Sequence, residues 1–150
     1  MQNGDISNEI SPVIIIVYEG LVGLLPDIKT RRAFDRAVNT KKWRKAAACF
    51  LHDELVTHIL LDIVWRRNVR IEGVTFLPPE LAEELEERME TEHIPLARLE
   101  SFPAPGLFAR ELVHRPYVKA VYDANPEHRL LYPRGKGVIV NPGDPYVIGT

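Results

Sequence analysis

The spacing of apolar residues changes several times along the chain, and each change marks an element. Val13-Ile14-Ile15-Ile16-Val17-Tyr18 is a β-branched run without alternation. A strand with one wet face alternates, so this one is expected to be covered on both faces. Pro12 precedes it, where a missing N–H does not interrupt a ladder. A turn at Glu19-Gly20 and a second apolar stretch, Leu21 to Leu25, follow. The pattern then becomes helical. Thr30 is the expected N-cap of a helix reaching about Val38. Trp43, Ala46, Ala47 and Phe50 share a face of a second helix, and Leu55, Ile59 and Ile63 line a third.

The later chain alternates strand and helix. Val69 to Leu77 reads as a strand, and Pro78-Pro79 opens a helix whose apolar line is Leu81, Leu85 and Met89. Ile94 to Phe102 is an expected third strand, Leu107 to His114 a short helix, and Tyr117 to Tyr122 a fourth strand. Leu130 to Tyr132 and Val138 to Val140 flank Pro133-Arg134-Gly135-Lys136-Gly137 and read as a β-hairpin. This order predicts an α/β fold: a three-layer Rossmann-like, mainly parallel sheet with helices on both faces and a C-terminal hairpin. Each of the first crossovers is long enough for a helix, so the first four strands should be parallel. We expect one domain over residues 1–150, without a separate cap domain, and a flexible tail at residues 1–11.

Composition narrows this little. The chain has 150 residues, 45% hydrophobic and 27% charged, with a net charge of −2. That balance offers no broad attraction to nucleic acid. The single cysteine, Cys49, allows no internal disulfide and suits a reducing cytoplasm. It is expected in the core. No apolar run is long enough to span a membrane.

Ligands of parallel sheets bind beyond the carboxyl ends of the strands. Here those ends are Glu19-Gly20, Thr75-Phe76, Ser101 and Asp123-Ala124-Asn125. Ile14-Ile15-Ile16-Val17-Tyr18-Glu19-Gly20-Leu21 resembles the first motif of the haloacid dehalogenase (HAD) superfamily, an apolar strand followed by Asp-x-Asp-Gly-Thr-Leu. Aligning on Gly20 puts Val17 at the nucleophile and Glu19 at the general acid/base. Thr75 matches the family's second motif. Ala104-Pro105 resembles a Lys-Pro with the lysine replaced, and Arg98 or Arg110 is a loose substitute. Asp123 matches half of the acidic fourth motif, with Asn125 nearby. Phe108 to Leu112, Val121-Tyr122-Asp123 and the Arg-Gly-Lys-Gly turn also resemble small HAD-like proteins of actinobacterial phages. That resemblance implies a phage protein of the host cytoplasm.

The resemblance implies a damaged catalyst. A valine can neither attack phosphorus nor coordinate magnesium, and loss of the lysine removes a cation that offsets phosphate charge. The expected function is therefore a pseudoenzyme, a binding or regulatory protein whose partner is another protein. One alternative is metal-assisted phosphoester hydrolysis with Glu19, Thr75 and Asp123 as catalytic residues and Mg2+ held by Glu19, Asp123 and Asn125. Those carboxylates also read as hydrated loop-end groups. A second alternative is a nucleic-acid-binding module using Lys42, Arg44, Arg134 and Lys136, with Trp65-Arg66-Arg67 as a further basic and aromatic cluster. The Arg134 to Gly137 stretch reads either as an anion cradle or as a plain turn. Glu54, His58 and Asp62 share a helix face and are read as an ionic surface.

Overall fold

A computed structural model describes residues 12–149, apart from 68, 97 and 142. The expected tail at residues 1–11 lies outside the described residues. Five parallel strands form the main sheet: β1 (Val13–Val17), β4 (Arg70–Thr75), β5 (Leu99–Ser101), β6 (Val118–Asp123) and β7 (Gly137–Ile139), in the order β5-β4-β1-β6-β7. β1 is central, and all five of its residues are buried. Val13, Ile15 and Val17 turn to one apolar cluster, while Ile14, Ile16 and Tyr18 turn to the other. This division on successive residues is the pleat of a strand packed on both sides, as its unbroken apolar run predicts.

Helices cover both faces. The larger cluster takes Val56, Leu60 and Ile63 of α3 (Glu54–Arg67) and Leu81, Leu85 and Met89 of α4 (Pro79–Thr91). The smaller cluster takes Phe108 of α5 (Pro105–Phe108) and Val113 of the wider π turn Ala109–Val113 that continues it. Two short antiparallel strands, β2 (Gly23–Leu24) and β3 (Leu51–His52), stand off the sheet. They bracket α1 (Ile28–Asn39) and α2 (Trp43–Ala48). Phe34, Ala37, Ala46 and Ala47 join this helical pair to the main core, so it is no separate cap domain.

Several sequence expectations are corrected. The C-terminal hairpin is absent among the described residues. Pro126–Leu131 forms a 3-10 turn, and β7 pairs parallel to β6. A proline at the first position of that turn supplies a preset φ and needs no donor, and Asn125 caps it by accepting from the Glu127 N–H. The cap of α1 is Asp27, which accepts from the Thr30 N–H at 2.7 Å. The third strand is only Leu99–Ser101, because Ile94 N–H bonds back to Met89 at 2.9 Å and closes α4. Cys49 is half-buried. Trp43 packs partly against the core, whereas Trp65 is 84% exposed.

Candidate functional site

The residues at the carboxyl ends of β1, β4 and β6 converge. After β1 the chain makes a tight loop in which Leu21, Val22 and Gly23 all donate backbone N–H groups to the Tyr18 carbonyl. Gly20 takes φ +87°, a left-handed conformation that disfavours a side chain, and a Cβ there would lie 2.8 Å from Ala124 Cβ. Gly23 faces the Tyr18 ring so closely that a Cβ would fall 2.3 Å from it. This loop turns Glu19 inward to the end of β4. Thr75 Oγ1 donates to Glu19 Oε1 at 2.6 Å, and the Phe76 N–H donates to Oε2 at 3.0 Å. Burial raises the Glu19 carboxyl above its usual range; the Thr75 and Phe76 bonds pull it back down in part, and Asp123 adds to the rise.

Asp123 ends β6 and is 1% exposed. Its Oδ1 accepts from the Asn125 N–H at 2.9 Å. Its Oδ2 accepts from His128 Nδ1 at 2.6 Å and from the Tyr132 hydroxyl at 2.5 Å. Asn125 Nδ2 lies 3.2 Å from His128 Nε2, and an amide donor there requires that ring nitrogen to accept. The imidazole proton therefore sits on Nδ1 and faces Asp123. Burial first, then the Asp123 bond, raises the Tyr132 hydroxyl far above its ordinary pKa. His128 and Tyr132 carried no chemistry in the sequence reading. Their one signal was Pro126, which starts the turn that folds them back onto Asp123.

Val17 does not border an open crevice as the alignment implies. It is 1% exposed and belongs to the apolar cluster of Val74, Phe108 and Tyr132. Arg98 and Arg110 are exposed side chains, and neither donates to Glu19 or Asp123. The residues present do not fit the magnesium ion that the resemblance implies. Every carboxylate oxygen of Glu19 and Asp123 already accepts a hydrogen bond from the protein. No group of three or more His, Cys, Asp or Glu side chains able to hold a metal occurs among the described residues.

Beyond these strand ends lies an open cavity of about 590 Å³, bordered by Glu19, Arg31, Phe34, Phe50, Leu77 and Asn125. A second polar network, which the sequence reading missed, runs from Tyr18 to Arg88. Tyr18, fully buried, donates its hydroxyl to His52 Nε2 at 2.6 Å. His52 Nδ1 donates to Glu92 Oε1 at 2.9 Å, and Arg88 Nε donates to Glu92 Oε2 at 2.6 Å. Arg88 also donates to the carbonyls of Ala47 and Phe50. The network thereby ties β1, β3, α4 and the end of α2 together.

The remaining candidates separate. Lys136 Nζ donates to the carbonyls of Val113 and Arg115, so its ammonium anchors the turn before β7. Arg134 is exposed. Ser101 Oγ donates to the Leu77 carbonyl. Glu54, His58 and Asp62 are exposed on α3, where Asp62 pairs with Arg66 at 2.7 Å.

Comparison with solved structures fits this architecture. A HAD family enzyme from Bacteroides thetaiotaomicron, solved as an aspartate-to-alanine mutant in complex with magnesium and inorganic phosphate, superposes with a TM-score of 0.54. The fold is HAD-like. The match covers 89% of this chain and 96% of that one at 9% identity, so the likeness is one of fold. No family model matches the chain, and no curated protein is similar to it in sequence. Among the described residues, no helix of the HAD-like domain is long and apolar enough to cross a membrane.

Proposed function

We propose that this HAD-like domain is a pseudoenzyme, catalytically degenerate, that acts by binding as a regulatory protein. The observation that carries the reading is Val17. The position aligned with the family's nucleophile holds an apolar side chain, sealed in a cluster with Phe108 and Tyr132. Phosphoryl transfer through a covalent intermediate needs a nucleophile there, and a valine has no atom that can supply one. The engagement of Glu19 and Asp123 in internal hydrogen bonds supports the same reading. Both serve to join strand ends, and buried carboxylates satisfied in this way stiffen a scaffold. A lone half-buried thiol, Cys49, supports work in a reducing cytoplasm.

The test is turnover of a chromogenic phosphomonoester by the purified full chain with magnesium. We expect no rate above the blank. Magnesium-dependent turnover abolished by Asp123→Asn would overturn the reading in favour of a metal-assisted hydrolase. Quantitative capture from the source cells provides the positive arm: a stoichiometric partner is expected, and recovery of background alone counts against a binding role.

A further inference from the structure

The net charge conceals a strong separation. Residues 27–48, which span α1 and α2, hold eight lysines and arginines against Asp27 and Asp35, a local charge of +6 in a chain of −2. All eight cations are exposed. The balancing acid lies elsewhere, with seven glutamates between Glu80 and Glu92 on and just after α4. α2 packs against both α1 and α4, next to the basic helix and the acidic one.

On α1 the cations are in register. Phe34 and Ala37 are the buried positions. Lys29, Arg32 and Arg36, at i, i+3 and i+7, share the opposite face. That stripe covers about 10 Å of helix axis. The chain then turns at Thr40, and Lys41, Lys42 and Lys45, in the turn and on α2, add three more exposed cations. None of these six makes an ion pair among the described residues, whereas Arg44 reaches Glu84 at 3.5 Å. Two of the other basic candidates are committed: Arg66 to Asp62, and Lys136 to two carbonyls.

The chemistry of this face selects its occupant. A protein interface has an apolar, aromatic-rich centre depleted in lysine. Here Ile28, at the edge of α1, is the only exposed large hydrophobic residue between 27 and 48 among the described residues. Nucleic-acid interfaces are polar and strongly positive. Single strands are held by aromatic stacking platforms, but Phe34 is buried and Trp43 is half-buried against the core. A duplex asks only for cations at its phosphates. We infer that the α1–α2 face docks the phosphate backbone of a nucleic-acid duplex, without reading base sequence. The inference rests on the domain's being a binding protein and names the class of its partner.

Fluorescence anisotropy of the full chain with a short labelled DNA duplex of arbitrary sequence tests it. If all six cations engage, affinity falls about a thousandfold between roughly 50 and 200 mM salt. Lys29→Gln/Arg32→Gln/Arg36→Gln changes only exposed side chains, so its urea midpoint stays near that of the parent. Its log–log salt slope becomes shallower by about 3. Lys119→Gln, an exposed cation on β6 outside the α1–α2 face, leaves binding unchanged. A duplex RNA probe binds about as well as DNA, and a single strand binds more weakly. No binding at low salt, an unchanged slope in the triple variant, or preference for the single strand would overturn the inference. So would a stoichiometric acidic protein partner in the absence of duplex binding. Phosphatase turnover would overturn the pseudoenzyme reading and leave the anisotropy result standing, so the two failures are distinguishable.

Discussion

Thr75 Oγ1 donates to Glu19 Oε1 at 2.6 Å and so closes the end of β4 onto the turn after β1, across 56 residues of sequence. The bond partly offsets the burial of a carboxyl whose pKa lies above its ordinary value. In the unfolded chain Glu19 ionises first as the pH rises, near the usual glutamate value of about 4.3. Its contribution to stability is therefore fully present below that value and is lost as the pH rises through the folded pKa. Glu19→Gln cannot titrate. Urea unfolding at a series of pH values should show the variant gaining on the parent as the pH rises from about 4 toward neutrality. A constant difference over that range would show that Glu19 does not titrate abnormally. Thr75→Val, which leaves the buried carboxyl short of a donor, should cost about 1–3 kcal/mol.

Val17 offers a sharper experiment. Val17→Asp, which introduces the carboxylate that the first-motif resemblance implies, places a carboxyl among the buried apolar side chains of Val74, Phe108 and Tyr132. The cost should be several kcal/mol, roughly 3–5, because the charge is buried without a partner. A thermal melt reads it directly. Magnesium should not rescue the variant, since Glu19 and Asp123 are already engaged. Severe destabilisation that magnesium does not rescue would show that aligning the first motif on Gly20 misplaces the nucleophile position, whereas mild destabilisation reversed by magnesium would place Val17 at a usable metal site.

His52 titrates with the opposite consequence. Burial holds its pKa below the ordinary value, although the hydrogen bond to Glu92 pulls upward. As the pH falls below about 6.5, the unfolded chain takes up the proton first. Stability is thus present above that value and is lost as the pH falls through the folded pKa. His52→Gln weakens the link between Tyr18 and Glu92 and should cost about 1 kcal/mol at neutral pH. Its deficit should shrink on acidification from about pH 7 to about pH 5, followed by urea midpoints. A deficit that grows in acid would show that His52 is protonated in the fold.

His93 closes α4 in a strained conformation. Its φ is +58°, while Ile94 N–H bonds to Met89 and His93 N–H to Glu90. This is a helix-ending motif that glycine fits best. His93→Gly should raise stability by about 0.5–1 kcal/mol, measurable as a higher melting temperature. Gly20→Ala should do the reverse, because φ +87° and the Ala124 Cβ at 2.8 Å both oppose a side chain there.

Local signals carried much of the fold. The unbroken run at β1 specified a strand covered on both faces, and Leu81, Leu85 and Met89 specified the buried line of α4, because the periods of strand and helix are written directly in apolar spacing. The strand ends at Glu19, Thr75 and Asp123 were legible for the same reason, since parallel order fixes which ends meet. The C-terminal hairpin was misread because a short apolar run does not say whether it pairs, and Leu130 and Leu131 instead stand on the exposed side of a 3-10 turn. Tertiary structure alone decided how polar groups were satisfied. Tyr18 meets His52 across 34 residues, and His52 meets Glu92 across 40. Such bonds depend on where packing sets each backbone, and no periodicity encodes that. The basic face of α1 and α2 required both: the sequence determined its cations, and the burial of Phe34 and Ala37 decided that Lys29, Arg32 and Arg36 point outward together.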